Sequence, residues 1–277
     1  RISRVSEAVG VGYEVETIRA VSPDATVRVS YYIAGGNVDN SFEVTSMGQI
    51  KVRRGLDYER IQSFKLWIEA RDDHDPPRAS YWQLNIQVKD DNDNPPVFDQ
   101  SMYVAMVTEE EVPPQAVVTV TASDADSSDN GRVSYELIGG DAGESFDIDE
   151  VSGRIRTVRM LDREAFDHYR LVVTARDHGS TAHTSTATVD VHIKDKNDQP
   201  PIFTQHFITK IHENSPHGTF VIKITSTDGD TGDNARPTYS LKTNPGNVFS
   251  IDEISGNITV GGVLDRENQD AYILQVA

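Results

Sequence analysis

The stretch that decides the fold is Asp90-Asp91-Asn92-Asp93-Asn94-Pro95-Pro96-Val97-Phe98. Its leading side chains are all acids or amides, hard oxygen acceptors with no basic residue among them. The two prolines bar the segment from a helix interior or a central strand and stiffen it toward an extended form. A second copy, Asp195-Lys196-Asn197-Asp198-Gln199-Pro200-Pro201-Ile202-Phe203, begins 105 residues later. Such a segment reads as a connector that holds carboxylates, and a repeated connector implies repeated domains.

The flanking sequence repeats in the same register. Leu56-Asp57-Tyr58-Glu59 recurs as Leu161-Asp162-Arg163-Glu164 and as Leu264-Asp265-Arg266-Glu267. Phe146-Asp147-Ile148-Asp149 recurs as Phe249-Ser250-Ile251-Asp252, with a weaker version at Phe42-Glu43-Val44. Ala70-Arg71-Asp72 recurs as Ala175-Arg176-Asp177, and all these offsets lie between 103 and 105 residues. A period of that size marks tandem domains rather than solenoid turns. The expected repeats are residues 1–96, 97–201 and 202–277, the third of them C-terminally incomplete because its sixth-strand aspartate would fall beyond Ala277.

Within each repeat the hydrophobic period is two. Tyr169, Leu171, Val173 and Ala175 alternate with Arg170, Val172 and Thr174, and Ala187, Val189, Val191 and Ile193 alternate with Thr188, Asp190 and His192. Half-buried strands have this pattern. Shorter strands are expected at Val117 to Ala122, Val133 to Leu137 and Arg154 to Val158, punctuated by Gly, Asn, Asp and Ser. Helical periodicity never extends beyond two turns. About seven short strands in ~100 residues indicate an all-β chain of three tandem antiparallel β-sandwich repeats.

Composition narrows the function. Against 26 Lys and Arg stand 44 Asp and Glu, a net charge of −18, which opposes nucleic-acid binding. The chain has no cysteine, so disulfides, zinc–thiolate sites and thiol nucleophiles are excluded. No apolar run is long enough to span a bilayer, so any membrane attachment would need a segment outside these residues. The sequon Asn257-Ile258-Thr259 is compatible with an extracellular glycoprotein.

Taken together, Asp-x-Asn-Asp-Asn-Pro-Pro-x-Phe at the connector, Leu-Asp-x-Glu near mid-repeat, Asp124-Ala125-Asp126 with Asn130-Gly131, and Ala175-Arg176-Asp177 resemble the extracellular repeats of cadherins. The double proline and the Leu-Asp-Arg-Glu form are similar to long, atypical or protocadherin-type members. The resemblance implies tandem seven-stranded Greek-key β-sandwiches in an extended rod, and calcium-dependent cell–cell adhesion by an ectodomain on the outside of the plasma membrane. Its partner would be another cadherin-type ectodomain, homophilic or heterophilic. Neither tryptophan, Trp67 or Trp82, lies near residue 1, so a strand swap anchored by an N-terminal Trp is not expected.

Calcium takes six to eight oxygen ligands from carboxylates, amides and backbone carbonyls, and a junction between two sandwiches can gather them from several segments. In extended chain, residues two apart point the same way, so Asp124 and Asp126, or Asp162 and Glu164, can face one ion cluster. Carried over from the resemblance, the first junction would use Glu7, Asp57, Glu59, Asp90, Asn92, Asp93, Asn94, Asp124, Asp126, Asn130 and Asp177. Asp91, Asn94 and Asn130 would act mainly through backbone carbonyls. The second would use Glu109, Asp162, Glu164, Asp195, Asn197, Asp198, Asp228, Asp230 and Asn234. Glu109 is preferred to Glu110 because Glu109 to Asp124 and Glu213 to Asp228 share a spacing of 15 residues. About three Ca²⁺ are implied per complete junction. Gln199 replaces the last connector Asn, and the missing sixth-strand Asp leaves the second junction short of a ligand. Repeat one has Ser22 and Asp24 at its Asp-x-Asp positions and no Asn-Gly after them, so it would not complete such a site with a preceding domain.

Other readings fit less well. An EF-hand around Asp124 would need Gly at Asp129 and Glu at Tyr135, together with flanking helices. His212-Glu213-Asn214-Ser215-Pro216-His217 is one residue too long for a zinc-protease helix, and Pro216 forbids that helix. Gly10-Val11-Gly12 lacks a strand-to-helix context and reads as a turn. The alternative function is a stalk or carbohydrate-binding module of a microbial adhesin or surface enzyme, with Tyr31, Tyr32 and Trp82 as the clustered aromatics. A catalytic acid–base pair would not be tripled, so the chain does not read as an enzyme.

Overall fold

The computed structural model describes residues 1–22, 26–140 and 144–277. The regular secondary structure of the described residues is nearly all strand, with short 3₁₀ turns at Val38–Asn40 and Pro245–Asn247 as its helical elements. Alternation of apolar and polar side chains sets the sheets. Along Ser63–Asp72, Phe64, Leu66 and Ile68 are buried while Ser63, Lys65 and Trp67 are exposed.

In the first unit a four-stranded sheet runs in the order Ile2–Ser6, Ala79–Lys89, Ser63–Asp72 and Val29–Gly35. It faces a three-stranded sheet of Glu14–Thr17, Gln49–Val52 and Phe42–Val44. The first strand pairs parallel with the last, Ile2 opposite Asn85 and Ser6 opposite Lys89. The second unit repeats the plan: Met102–Thr108, Thr184–Lys194, His168–Arg176 and Ser134–Gly139 against Ala116–Thr119, Arg154–Thr157 and Phe146–Ile148. Its first strand again runs parallel to its last, from Met102 opposite Thr188 to Thr108 opposite Lys194. This parallel closure brings the acidic end of the first strand beside the connector that follows the last one.

The expected strand from Val117 to Ala122 is divided in two. After Ala116–Thr119, the N–H of Val120 donates to the Gly153 carbonyl at 3.0 Å and that of Thr121 to the Tyr103 hydroxyl at 3.2 Å. The chain then leaves one sheet and pairs Ala122–Ser123 with Val97–Phe98, just after the connector. A tyrosine hydroxyl fixes this switch, since the Ala122 N–H donates to Tyr135 at 2.8 Å. Ser226 donates likewise to Tyr239 at 3.1 Å, and Ala20 to Tyr31 at 3.0 Å. Positions 31, 135 and 239 stand 104 residues apart.

The third unit has a three-stranded sheet of Phe220–Lys223, Asn257–Val260 and Phe249–Ile251, and two small ladders, Leu241–Thr243 with Gln275–Val276 and Ile202–Phe203 with Ser226–Thr227. Its buried core is Ile224, Tyr239, Phe249, Ile258, Val260 and Leu264, smaller than the other two. Asn257 of the sequon opens a strand and is half-buried.

Each unit has its own apolar cluster. Fully burying a Leu, Ile or Phe contributes about 1.5–3 kcal/mol. Leu171 is fully enclosed in the second core. Leu171→Ala is expected to destabilise the second unit by roughly 2–5 kcal/mol through lost transfer energy and a residual cavity. Hydrogen exchange read peptide by peptide should localise the loss to residues 97–201; an equal loss in residues 1–89 would contradict separate cores.

Candidate metal centres

The first connector is held by one buried carboxylate. The strand Ile2–Ser6 extends its pairing so that the Glu7 N–H donates to the Lys89 carbonyl at 3.1 Å. That fixes the Glu7 side chain between two segments. Its Oε1 accepts the Asp91 N–H at 2.8 Å and its Oε2 accepts the Tyr58 N–H, in the middle of Leu-Asp-x-Glu. From the other side, Asp126 accepts both the backbone N–H of Asn94 at 3.2 Å and its side-chain amide at 2.6 Å. Asp90 accepts the Ser127 N–H at 3.2 Å and the Asn130 amide at 2.7 Å. Asn92 reaches across to donate to Asp177 at 3.1 Å and to the Thr181 carbonyl at 2.8 Å.

Small residues make this closeness possible. A Cβ on Gly131 would stand 2.0 Å from the Asp126 carbonyl oxygen, and one on Gly179 would stand 2.3 Å from the Asn92 side chain. Both contacts are far inside van der Waals distance, so the Asn-Gly after Asp124-Ala125-Asp126 is a packing requirement. Asp177 is itself fixed by the N–H groups of Gly179 and His183, at 3.0 and 2.9 Å.

Two groups of acids converge. Glu7, Glu59 and Asp90 offer oxygens within 4.8 Å of one another, and so do Glu59, Asp93 and Asp126. Glu59 is shared by both. Asp57, Asp91, Asp124 and Asp177 enter neither triad, and the amides Asn92, Asn94 and Asn130 bond to Asp177, Asp126 and Asp90. Asp57 turns one oxygen to cap its own loop, accepting the Arg60 N–H at 2.8 Å. Buried oxygens of Asn92 (Oδ1) and Asp124 (Oδ2) have no hydrogen-bond partner. An unpaired buried acceptor costs about 1–3 kcal/mol, so these atoms point to a cation as their counterpart. Every converging ligand is a hard oxygen, with neither Cys nor His among them, which suits Ca²⁺ rather than zinc or copper.

Electrostatics agree. Loss of hydration, with the neighbouring charges of Glu7, Asp126 and Asp93, pushes the Glu59 carboxyl up to about 7 although its residue still reaches solvent. Burial pushes Glu7 up, as do Asp93 and Asp90, against the two N–H bonds it accepts. Asp93 is raised by lost hydration and by Asp126, and Asp124 by burial and by Asp126. Burial would also raise Asp177, but the His183 N–H, the Asn92 amide and the Gly179 N–H outweigh it and leave it lowered.

The second junction is built on the same plan. Glu109, fully buried, accepts the Lys196 N–H at 2.8 Å and the Arg163 N–H at 2.7 Å, so it does the work of Glu7 and leaves Glu110 outside. Asp195 accepts the Thr231 N–H at 3.2 Å and the Asn234 amide at 2.7 Å. Asp230 receives the Gln199 N–H at 3.3 Å, and its own N–H donates to Asp228 at 2.9 Å. The acids again form two triads, Glu109, Glu164 and Asp198, and Glu164, Asp195 and Asp230. Asp230 Oδ2 is buried without a partner. Asp162 caps its own loop through the Ala165 N–H at 3.0 Å, and Asn197 is exposed.

Some residues at these sites escape the sequence reading. Arg163 turns its guanidinium into the second cluster. Glu213, placed by the same 15-residue spacing that selects Glu109, converges with Asp265 and Glu267 at the far end of the third unit, and for these last two the third Leu-Asp-x-Glu was the available signal. Asp24 lies outside the described residues; at the same end of the first unit Asp72 accepts the Arg78 N–H at 2.7 Å and pairs with His74. Tyr31, Tyr32 and Trp82 form no common platform. Tyr31 and Tyr32 are sequence neighbours on a strand and face opposite sides.

The raised carboxyls fix the sign of a pH response in the metal-free protein. Glu59 titrates at about 7 in the fold, against 4.5 as its ordinary value, so the fold prefers its protonated form. That contribution is complete below about pH 4.5 and is lost as pH rises through about 7. Melting of metal-stripped protein should therefore fall between those values, and Glu59→Gln should flatten the slope. A melting temperature that rises across the window in both proteins would refute the assignment.

Three segments, residues 2–89, 103–194 and 207–277, match the model of the cadherin domain. The chain is 40% identical over 250 residues to human Protocadherin Fat 4, covering 90% of this chain and 5% of that protein. It is 35% identical over 271 residues to mouse Cadherin EGF LAG seven-pass G-type receptor 3, covering 96% of this chain and 8% of the other. It thus spans less than a tenth of these relatives. Among solved structures, mouse cadherin-23 EC22-24 superposes with a TM-score of 0.86 at 32% identity, covering 99% of this chain and 88% of that one. Among the described residues no helix is long and apolar enough to cross a membrane. Three matched domains, the parallel first-to-last strand closure and the shared acidic junctions lead to one conclusion: the chain belongs to the cadherin family.

Proposed function

We propose that this chain is part of a cell–cell adhesion or recognition ectodomain, extracellular on a cell-surface protein, whose junctions are rigidified by Ca²⁺. The repeats are taken as residues 1–96, 97–201 and 202–277. Its partner is another cadherin-type ectodomain, homophilic or heterophilic, and the ion is structural rather than catalytic. About three Ca²⁺ per complete junction would be held by the acids and amides named above, the triads supplying the bridging carboxylates. The observation that carries the reading is the duplication of one scheme at both junctions: a buried Glu receiving two backbone N–H groups, and a connector Asp receiving an Asn amide.

The chemistry is a matter of charge. Two carboxylates ~4 Å apart repel by about 1 kcal/mol in water and about 4 at an effective dielectric of 20. The first junction gathers eight carboxylates (Glu7, Asp57, Glu59, Asp90, Asp93, Asp124, Asp126 and Asp177), which three divalent ions would largely neutralise. At ~1 mM free ion and a site Kd of ~0.1 mM, each site stabilises by about 1.4 kcal/mol.

Adding EGTA should lower the melting temperature and open residues 90–98 and 195–203 to protease. Identical melting and digestion in calcium and in EGTA would reject a structural role for the ion. Asp126→Ala should move the calcium-loaded first connector toward the EGTA digestion pattern while the third unit keeps its hydrogen-exchange protection. Bead aggregation should require calcium; calcium-independent binding on a glycan array, with no aggregation, would favour the carbohydrate-binding module instead.

A further inference from the structure

Among the positions at which the two junctions differ is the x of Leu-Asp-x-Glu. In the first it is Tyr58, whose N–H serves Glu7 and whose ring packs on the core of its own unit. In the second it is Arg163, with a side chain only 12% exposed. Its Nε lies 2.6 Å from Asp195 Oδ1 and 3.8 Å from Glu109 Oε1, and its Nη2 pairs with Glu164 Oε1. Nη2 also donates to the Gly229 carbonyl of the third unit at 2.9 Å. The Nε–Asp195 contact is an ion pair rather than an aligned hydrogen bond, since that N–H has no acceptor along its axis. Glu164 belongs to both acid triads of this junction, while Asp195 and Glu109 each belong to one. The guanidinium therefore sits among the oxygens that would bind metal.

We propose that Arg163 is a built-in counter-ion of the second junction: it bridges the two units without metal and competes with a divalent cation for the same carboxylates. The proposal rests on the calcium reading above. A monovalent cation with five donors can satisfy three carboxylates and a carbonyl at once, which a neutral tyrosine cannot. Metal must displace it, so the second junction takes up calcium less readily than the first. When metal is withdrawn, the second junction keeps a bridge where the first is left with repulsion. A side chain thus makes the two connectors respond to different calcium levels.

The effect follows from the population of the competing state. If the arginine-in arrangement holds about 90% of the metal-free molecules, apparent affinity is reduced about tenfold. The test uses the whole 277-residue chain, with Arg163→Gln to remove the charge, Arg163→Tyr to install the first junction's residue, and Arg163→Lys to keep the charge. Calorimetric calcium titration reads affinity, and protease cleavage in EGTA, mapped by mass spectrometry, reads each connector separately.

Gln and Tyr should tighten the weaker class of sites about tenfold and speed cleavage within 195–203 in EGTA, with cleavage within 90–98 unchanged. Lys should fall between them and the parent. If the parent binds calcium but Gln and Tyr bind it no more tightly, Arg163 is not a competitor and only this inference fails. If the parent binds no calcium, the structural-calcium reading fails and this inference with it. Faster cleavage at both connectors would show general destabilisation and would also overturn it.

Discussion

The constraint on which the structure depends is that each acidic connector is fixed by carboxylates it cannot avoid. Glu7 and Glu109 each stand at the end of a first strand and receive one N–H from the connector and one from Leu-Asp-x-Glu. Two N–H donors hold a carboxylate firmly and favour its ionised form. Further acids are then drawn in by independent means: Asp90 by Asn130, Asp126 by Asn94, Asp195 by Asn234. The backbone and the amides thus assemble negative charge that would otherwise disperse. What opposes the assembly is the loss of hydration, with mutual repulsion added to it, that raises Glu59, Glu7, Asp93 and Asp124.

The sandwich exists to deliver those groups. Parallel pairing of the first strand with the last puts the strand end carrying Glu7 or Glu109 beside the connector leaving its own unit. The sheet switch at Ala122–Ser123, tied by the Tyr135 hydroxyl, aims Asp124 and Asp126 at the connector entering the unit. One junction therefore draws on the closing end of one core and the opening end of the next. At each junction one triad spans two units, Glu59 and Asp93 meeting Asp126, and Glu164 and Asp195 meeting Asp230, while the other, Glu7, Glu59 and Asp90 or Glu109, Glu164 and Asp198, comes from one unit and its connector.

Much of this was legible in the sequence because it is written in period and register. Alternation along Tyr169 to Ala175 gives the strand, and recurrence of Asp-x-Glu and Asp-x-Asp at one offset brings distant acids together. The spacing of 15 residues selects Glu109 over Glu110, and the structure places Glu109 at the second junction with both N–H groups. What stayed hidden depends on side-chain direction or on single hydrogen bonds. Nothing in the alternation from Val117 to Ala122 shows the chain changing sheets at Val120, because a tyrosine hydroxyl 13 residues onward makes the change. Tyr31 looks like an exposed aromatic beside Tyr32, yet its hydroxyl does the same work in the first unit.

Arg163 is the sharper case. By sequence it is the variable residue of a recurring tetrapeptide, flanked by two acids, with nothing in the letters to turn it away from solvent. Its direction is set by what surrounds it. A backbone N–H pinned to Glu109 leaves the side chain beginning at the junction, and the densest negative potential within reach is the cluster itself. Tyr58 begins from the same backbone bond but has an apolar ring, so it turns to the core of its own unit. The same backbone geometry thus sends a cation into the site and an aromatic away from it. Similar sets of converging acids consequently do not make equivalent junctions: the charge on Arg163 separates them, and the motif's unspecified letter carries that difference.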